Sequence, residues 1–280
     1  MCRQITLTDT QKKNGAMIID ALNKLGFKNQ VVQDAIVMVC YKESGFLAKV
    51  EWCYSRKDAP GGDVSKLRRL FSTRLARFTD AQILKLLDDC KEFFDTVYGK
   101  PAQPYMAFQT GNTEKYDGWK YRGRAYNGIT FKVQYAEYSK KLGVDLVKNP
   151  ELLEQPKYSA EAVAHYMVDN FKRYNKSIVA TYGASANDLT DIDKALMLVY
   201  SLNAGQIKVN LATDGTGGWA VVQCAKKWKV AEQVRQVAGG GSGGKLPILP
   251  LLAGGLLFFL IYNPKWIKKN TPKGLKKFLR

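Results

Sequence analysis

Two glutamates stand eight residues apart early in the chain, Glu43 and Glu51, with a turn-permitting Gly45 between them. Glu43 closes an apolar run, AIVMVCYKESGF, so its carboxyl is expected at the lip of a core, partly desolvated. Partial burial raises a carboxyl pKa and suits it to donate a proton. Past the turn, Glu51 can face it across a cleft. Such a pair can break a glycosidic bond, one acid protonating the leaving oxygen while the second carboxylate activates water or attacks directly. Spacing alone does not distinguish this pair from two glutamates on an ordinary surface.

Other chemistries are poorly provided for. The chain has a single histidine, whereas zinc hydrolases use several and Cys or Ser hydrolases usually need one as a base. That histidine, His165, lies inside the apolar helical stretch AEAVAHYMVDNF, where a structural role is expected. No metal site and no cofactor are expected. The five cysteines, Cys2, Cys40, Cys53, Cys90 and Cys224, are an odd count without CxxC spacing, and read as scattered buried thiols rather than disulfides.

The elements that must position the pair read as helix after helix, to about residue 237. Ile18, Ile19, Leu22 and Leu25 mark one apolar face that Gly26 is placed to stop. Asn29 can cap the next helix, whose stripe of Val32, Ala35, Ile36 and Val39 runs to Glu43. Thr79 with Gln82 matches a capping box before ILKLLDDCKEFF. A helix from about Thr130 closes at Gly143, and others start near Ser159, Thr190 and Gly217. Trp119–Ile129 is the best candidate for a short hairpin or loop. The fold class is mainly α.

Four blocks, KESGFLAKVEWCYS, LRRLFSTRLARFTDAQI, FFDTVYGK and TGNTEKYDGWKYRGRAYNGITFKVQYAEYSKKLGVDLVKNPELL, together resemble glycoside hydrolase family 19, in particular phage endolysins and bacterial chitinase-like lysozymes. The likeness runs from about Gln33 to Asn210 and is most specific over Tyr121–Tyr135. It implies a two-lobed, lysozyme-like helical domain over residues 1–237 that hydrolyses peptidoglycan or chitin with inversion. Inversion calls for carboxyls roughly 6.5–9.5 Å apart. Glu43 matches the family's general acid, Glu51 the second carboxylate that positions water, and Thr130 the Ser or Thr that holds that water. Tyr121, Arg122, Arg124 and Asn127 fall on the motif lining the cleft, and Asn203 resembles an Asn that contacts substrate. Both arginines have a structural alternative, pinning the lobes by pairing with carboxylates. The sequence departs from the pattern at Phe46, where a second Gly is usual, at Ala125 for Gly, at Gly128 for Gln and at Gln134 for Asn.

Composition adds a setting. The 280 residues are 46% hydrophobic and 11% aromatic, which fits a folded chain and argues against disorder. The formal charge of +18 suits a polyanionic partner such as bacterial wall, anionic lipid or nucleic acid. The N-terminus lacks the apolar region of a secretory signal. AGGGSGG and Lys245 read as a linker over 238–245. Leu246–Tyr262, seventeen residues without a charge, reads as a transmembrane segment, and 263–280 as a basic tail that can contact anionic lipid or nucleic acid. The lysine-rich tail belongs in the cytoplasm by the positive-inside rule, yet nothing exports the enzyme. Carriage in a virion, on its internal membrane and alongside other virion proteins, resolves this; a host-membrane location facing the wall is the alternative.

Overall fold

The computed structural model describes residues 5–99, 109–209 and 217–238. The linker beyond Ala238, the apolar segment and the basic tail lie outside the described residues. Among those described, no helix is long and apolar enough to cross a membrane.

The described chain is mainly helical, as the periodicity predicts. Its α-helices are α1 (Asp9–Lys24), α2 (Gln30–Ser44), α3 (Ser65–Leu70), α4 (Ser72–Leu75), α5 (Asp80–Leu86), α6 (Cys90–Tyr98) and α7 (Asp117–Lys120). They continue as α8 (Lys132–Leu142), α9 (Pro156–Arg173), α10 (Asn175–Tyr182), α11 (Ile192–Asn203), α12 (Gly218–Lys227) and α13 (Val230–Arg235). Among the described residues the one isolated β-bridge, antiparallel, pairs Arg124 with Ile129, at the expected hairpin.

Local chemistry accounts for the helix ends. Thr8 and Gln11 form a reciprocal capping box on α1, and Thr79 and Gln82 form the expected one on α5. Asn29 accepts from the Val32 amide as foreseen, while its Nδ2 donates to the carbonyls of Ala186, Asn187 and Leu189. One side chain thus starts α2 and ties it to the loop before α11.

Three buried clusters organise the rest. In the first, α2 is enclosed by α1, α11, α12 and α13. Val32, Ala35, Ile36, Val37, Met38, Val39 and Cys40 are all buried there, which explains why its run is almost continuously apolar rather than striped. The second is aromatic, with Tyr54, Phe71, Phe93, Phe94 and Tyr98 stacked edge to face around α6, and Phe131 closing it. The third holds Tyr121, Tyr135, Tyr138, Leu146 and Leu153. Gly118 lets α7 approach α6, because a Cβ there would lie 2.4 Å from the Phe94 carbonyl oxygen.

The cysteines correct the expectation of free thiols. Cys53 and Cys90 are joined in a disulfide spanning 37 residues, which ties the segment after Glu51 to the first residue of α6. Cys224 is also disulfide-bonded, and among the described residues Cys40 is the one that fits the reading of a buried free thiol. The pairing escaped sequence reading because it depends on a fold that brings residue 53 back to residue 90, not on any local spacing.

Candidate active site

Glu43 is the penultimate residue of α2, and the chain leaves that helix through two consecutive left-handed residues, Gly45 and Phe46. The turn is held from α1, where Gln11 Nε2 donates to the Gly45 carbonyl at 3.1 Å and Asn14 Nδ2 to the Phe46 carbonyl at 2.9 Å. Phe46, where the family usually has a glycine, adopts φ 60° with its ring fully buried in the first cluster. Core packing holds a conformation that a non-glycine residue otherwise avoids.

The Glu43 carboxyl is 6% exposed, more deeply buried than the half-wet position foreseen. Its Oε1 accepts from Lys42 Nζ at 2.8 Å and from Asn203 Nδ2 at 2.8 Å. Burial raises its pKa, and Lys42 and Asn203 pull the other way without cancelling it. Asn203, expected to touch substrate, hydrogen-bonds the Glu43 carboxyl. Lys42 in turn lies over the Tyr200 ring, 5.4 Å from its centroid.

Glu51 is also 6% exposed but has a separate set of partners. Its main chain is clamped to the Tyr121–Tyr135 block, since its amide donates to the Gly123 carbonyl at 2.7 Å and its carbonyl accepts from Arg122 Nε at 3.1 Å. The carboxyl accepts from the Tyr98 hydroxyl, 3.2 Å from both oxygens, and from the Gly123 amide at 3.4 Å. Burial outweighs these donors and pushes its pKa up to about 7. Asn112, fully buried, fixes Tyr98 from behind by donating to its carbonyl and accepting from the Lys132 amide.

Thr130 comes to the same place. A Cβ on Gly123 would lie 3.3 Å from Glu51 Oε2 and 3.5 Å from Thr130 Oγ1, so the carboxyl and hydroxyl face one another over a bare glycine. The hydroxyl donates to the Gly128 carbonyl at 2.9 Å. A hydroxyl has one proton, so its lone pairs remain free to accept. Gln134, standing where the family has Asn, accepts from the Thr130 amide at 3.1 Å. Phe131, next in sequence, takes φ 77° and ψ 138°, a strained conformation for a bulky residue.

Arg122, Arg124 and Tyr121 are each held by partners within the chain. Arg122 lies over Trp119, 3.3 Å from the ring centroid, and donates to the Trp119 carbonyl. Arg124 pairs with Glu154 at 2.9 Å and also donates to the Lys120 carbonyl and the Tyr135 hydroxyl, the structural alternative foreseen for it. Tyr121 is buried in the third cluster, with its hydroxyl on the Val147 carbonyl. Asn127 is half-buried in the 124–129 turn, and its Oδ1 is buried without a partner. Ala125 there holds φ 65°, in the left-handed region that favours glycine. Tyr98, Lys42 and Gln134 were missed as site residues, although Tyr98 lies in the quoted FFDTVYGK block. Among the described residues no cluster of His, Cys, Asp or Glu could hold a metal.

Compared with models of known protein families and with curated proteins, the chain has no match.

Proposed function

We propose that this chain is a glycoside hydrolase of the lysozyme type, cleaving peptidoglycan with Glu43 as general acid and Glu51 with Thr130 ordering the attacking water. The observation that carries this reading is the pairing of Glu51 and Thr130 across Gly123. The Thr130 hydroxyl, its proton given to Gly128, can accept one O–H of a water while the Glu51 carboxylate accepts the other. That leaves a water lone pair to attack the anomeric carbon, and Glu51 takes the proton as the bond forms. Glu43, whose pKa burial raises, is the group that delivers a proton to the leaving oxygen.

Peptidoglycan is favoured over chitin by charge, because a chain of formal charge +18 is drawn to an anionic wall. The two-lobed arrangement, the membrane segment over 246–262 and virion carriage belong to the same proposal. A second reading, a wall-binding protein without turnover, is favoured by one contact: the Lys42–Glu43 ion pair stabilises the ionised form that cannot act as an acid.

Digestion of purified peptidoglycan by the full chain, followed by mass analysis of the fragments, separates the two. New reducing ends are expected from the wild type, and a loss of about 10²–10⁴-fold in rate from Glu43→Gln. Wall binding without released fragments would favour the second reading and sink the first.

A further inference from the structure

Arg74 is buried, with 8% of its surface exposed, in the aromatic cluster behind Glu51. Its guanidinium lies 5.2 Å from the centroid of the Tyr98 ring and 6.0 Å from that of Phe131. Among the described residues no acceptor hydrogen-bonds or ion-pairs with it, although a guanidinium carries five donors. A guanidinium without a hydrogen-bonding partner among the described residues still acts on its surroundings through its charge. Its two ring contacts point to what those are. Tyr98 presents its hydroxyl to both Glu51 oxygens, and Phe131 directly follows Thr130.

We propose that Arg74 is a positioning residue for Glu51, acting through the Tyr98 ring to keep that carboxyl ionised and turned toward Gly123 and Thr130. This rests on the reading of Glu51 as the base. A positive charge on the face of a phenol strengthens its hydroxyl as a donor, and the same charge acts through space on the carboxylate. Glu51 is faced by few other groups able to do this. The Tyr54 and Tyr98 hydroxyls are neutral, the Gly123 amide is a single dipole, and Arg122 spends its donors on the carbonyls of Glu51 and Trp119. Burial opposes ionisation, and Arg74 and Arg122 are the two cations that counter it. Arg122 is the stronger of the two, and Arg74 adds to it from the face of the Tyr98 ring.

The test is a carbon-13 NMR titration of the Glu51 carboxyl in the full chain, its signal assigned with Glu51→Gln. Arg74→Met removes the charge at similar volume and is expected to raise the Glu51 midpoint by about one pH unit at an unchanged melting temperature. Arg74→Lys is expected to restore most of the shift. An unmoved midpoint in a folded Arg74→Met protein overturns the proposal. Where that variant does not fold, the wild type still decides, because the Arg74 Nε–H signal should titrate with the Glu51 midpoint, and a flat signal overturns the proposal. If the wild type releases no peptidoglycan fragments, the proposed function fails while this titration still stands.

Discussion

Asn203 ends α11, Glu43 nearly ends α2, and a 2.8 Å bond from the Asn203 amide to Glu43 Oε1 joins them across 160 residues of chain. The amide favours the ionised carboxyl and so opposes burial. In Asn203→Ala that opposition weakens, and Glu43 holds its proton to higher pH. The alkaline limb of the pH–rate profile should move upward, and kcat should fall by about tenfold as the acid loses its fixed orientation. A profile identical to the wild type would refute this.

Glu51 makes stability depend on pH in a definite direction. Its pKa is about 7 in the folded chain against an ordinary 4.5, so the folded state binds the proton more tightly. Stability is therefore greatest below the lower value and falls as pH rises through about 7. Glu51→Gln has no proton to lose. It should be more stable than the wild type above that range, by on the order of 3 kcal/mol, and indistinguishable at low pH. Calorimetry at pH 5 and pH 8 reads the difference; an equal offset at both would contradict it.

Gly123→Ala should damage turnover more than folding. The added methyl would stand 3.3 Å from Glu51 Oε2 and 3.5 Å from Thr130 Oγ1, against side-chain atoms that can shift slightly. A cost of about 1 kcal/mol in stability is expected. The space for a water between the two groups is lost, so kcat should drop by about 10²-fold or more. Equal losses from Gly143→Ala, whose added Cβ meets nothing within 4 Å but whose φ of 66° strains any side chain, would trace the effect to folding and undo the argument.

The Cys53–Cys90 bridge should matter most to the aromatic cluster. Closing a loop of this length is worth roughly 3–4 kcal/mol in the chain-entropy account. Cys53→Ser should lower the melting temperature and speed amide exchange in α6 while α2 stays protected. Uniform loosening of both helices would show that the bridge supports the whole chain instead.

Helix positions were legible wherever the signal was local. The capping pair at Thr79, the stop at Gly26 and the closure of α8 by Gly143 depend on neighbours in sequence, and they stand where periodicity and turn chemistry put them. The two glutamates and Thr130 were visible as residue types within a motif. The contacts made to the two carboxyls were not, because Asn203 and Tyr98 reach them only through tertiary packing, and a residue's type carries no mark of the contact it will make. Glu43 lies deeper than a helix-end position suggests because α12 and α13 also cover α2. The disulfide was hidden for the same reason.

The turn that leaves Glu43 rests on Gln11 and Asn14, two amides of the first helix that grip the carbonyls of Gly45 and Phe46. The helix end that carries Glu43 is thus anchored by a segment far from it in sequence. A tag, a fusion or a proteolytic nick that frays this opening helix would let the acid drift while both carboxyls stayed chemically intact.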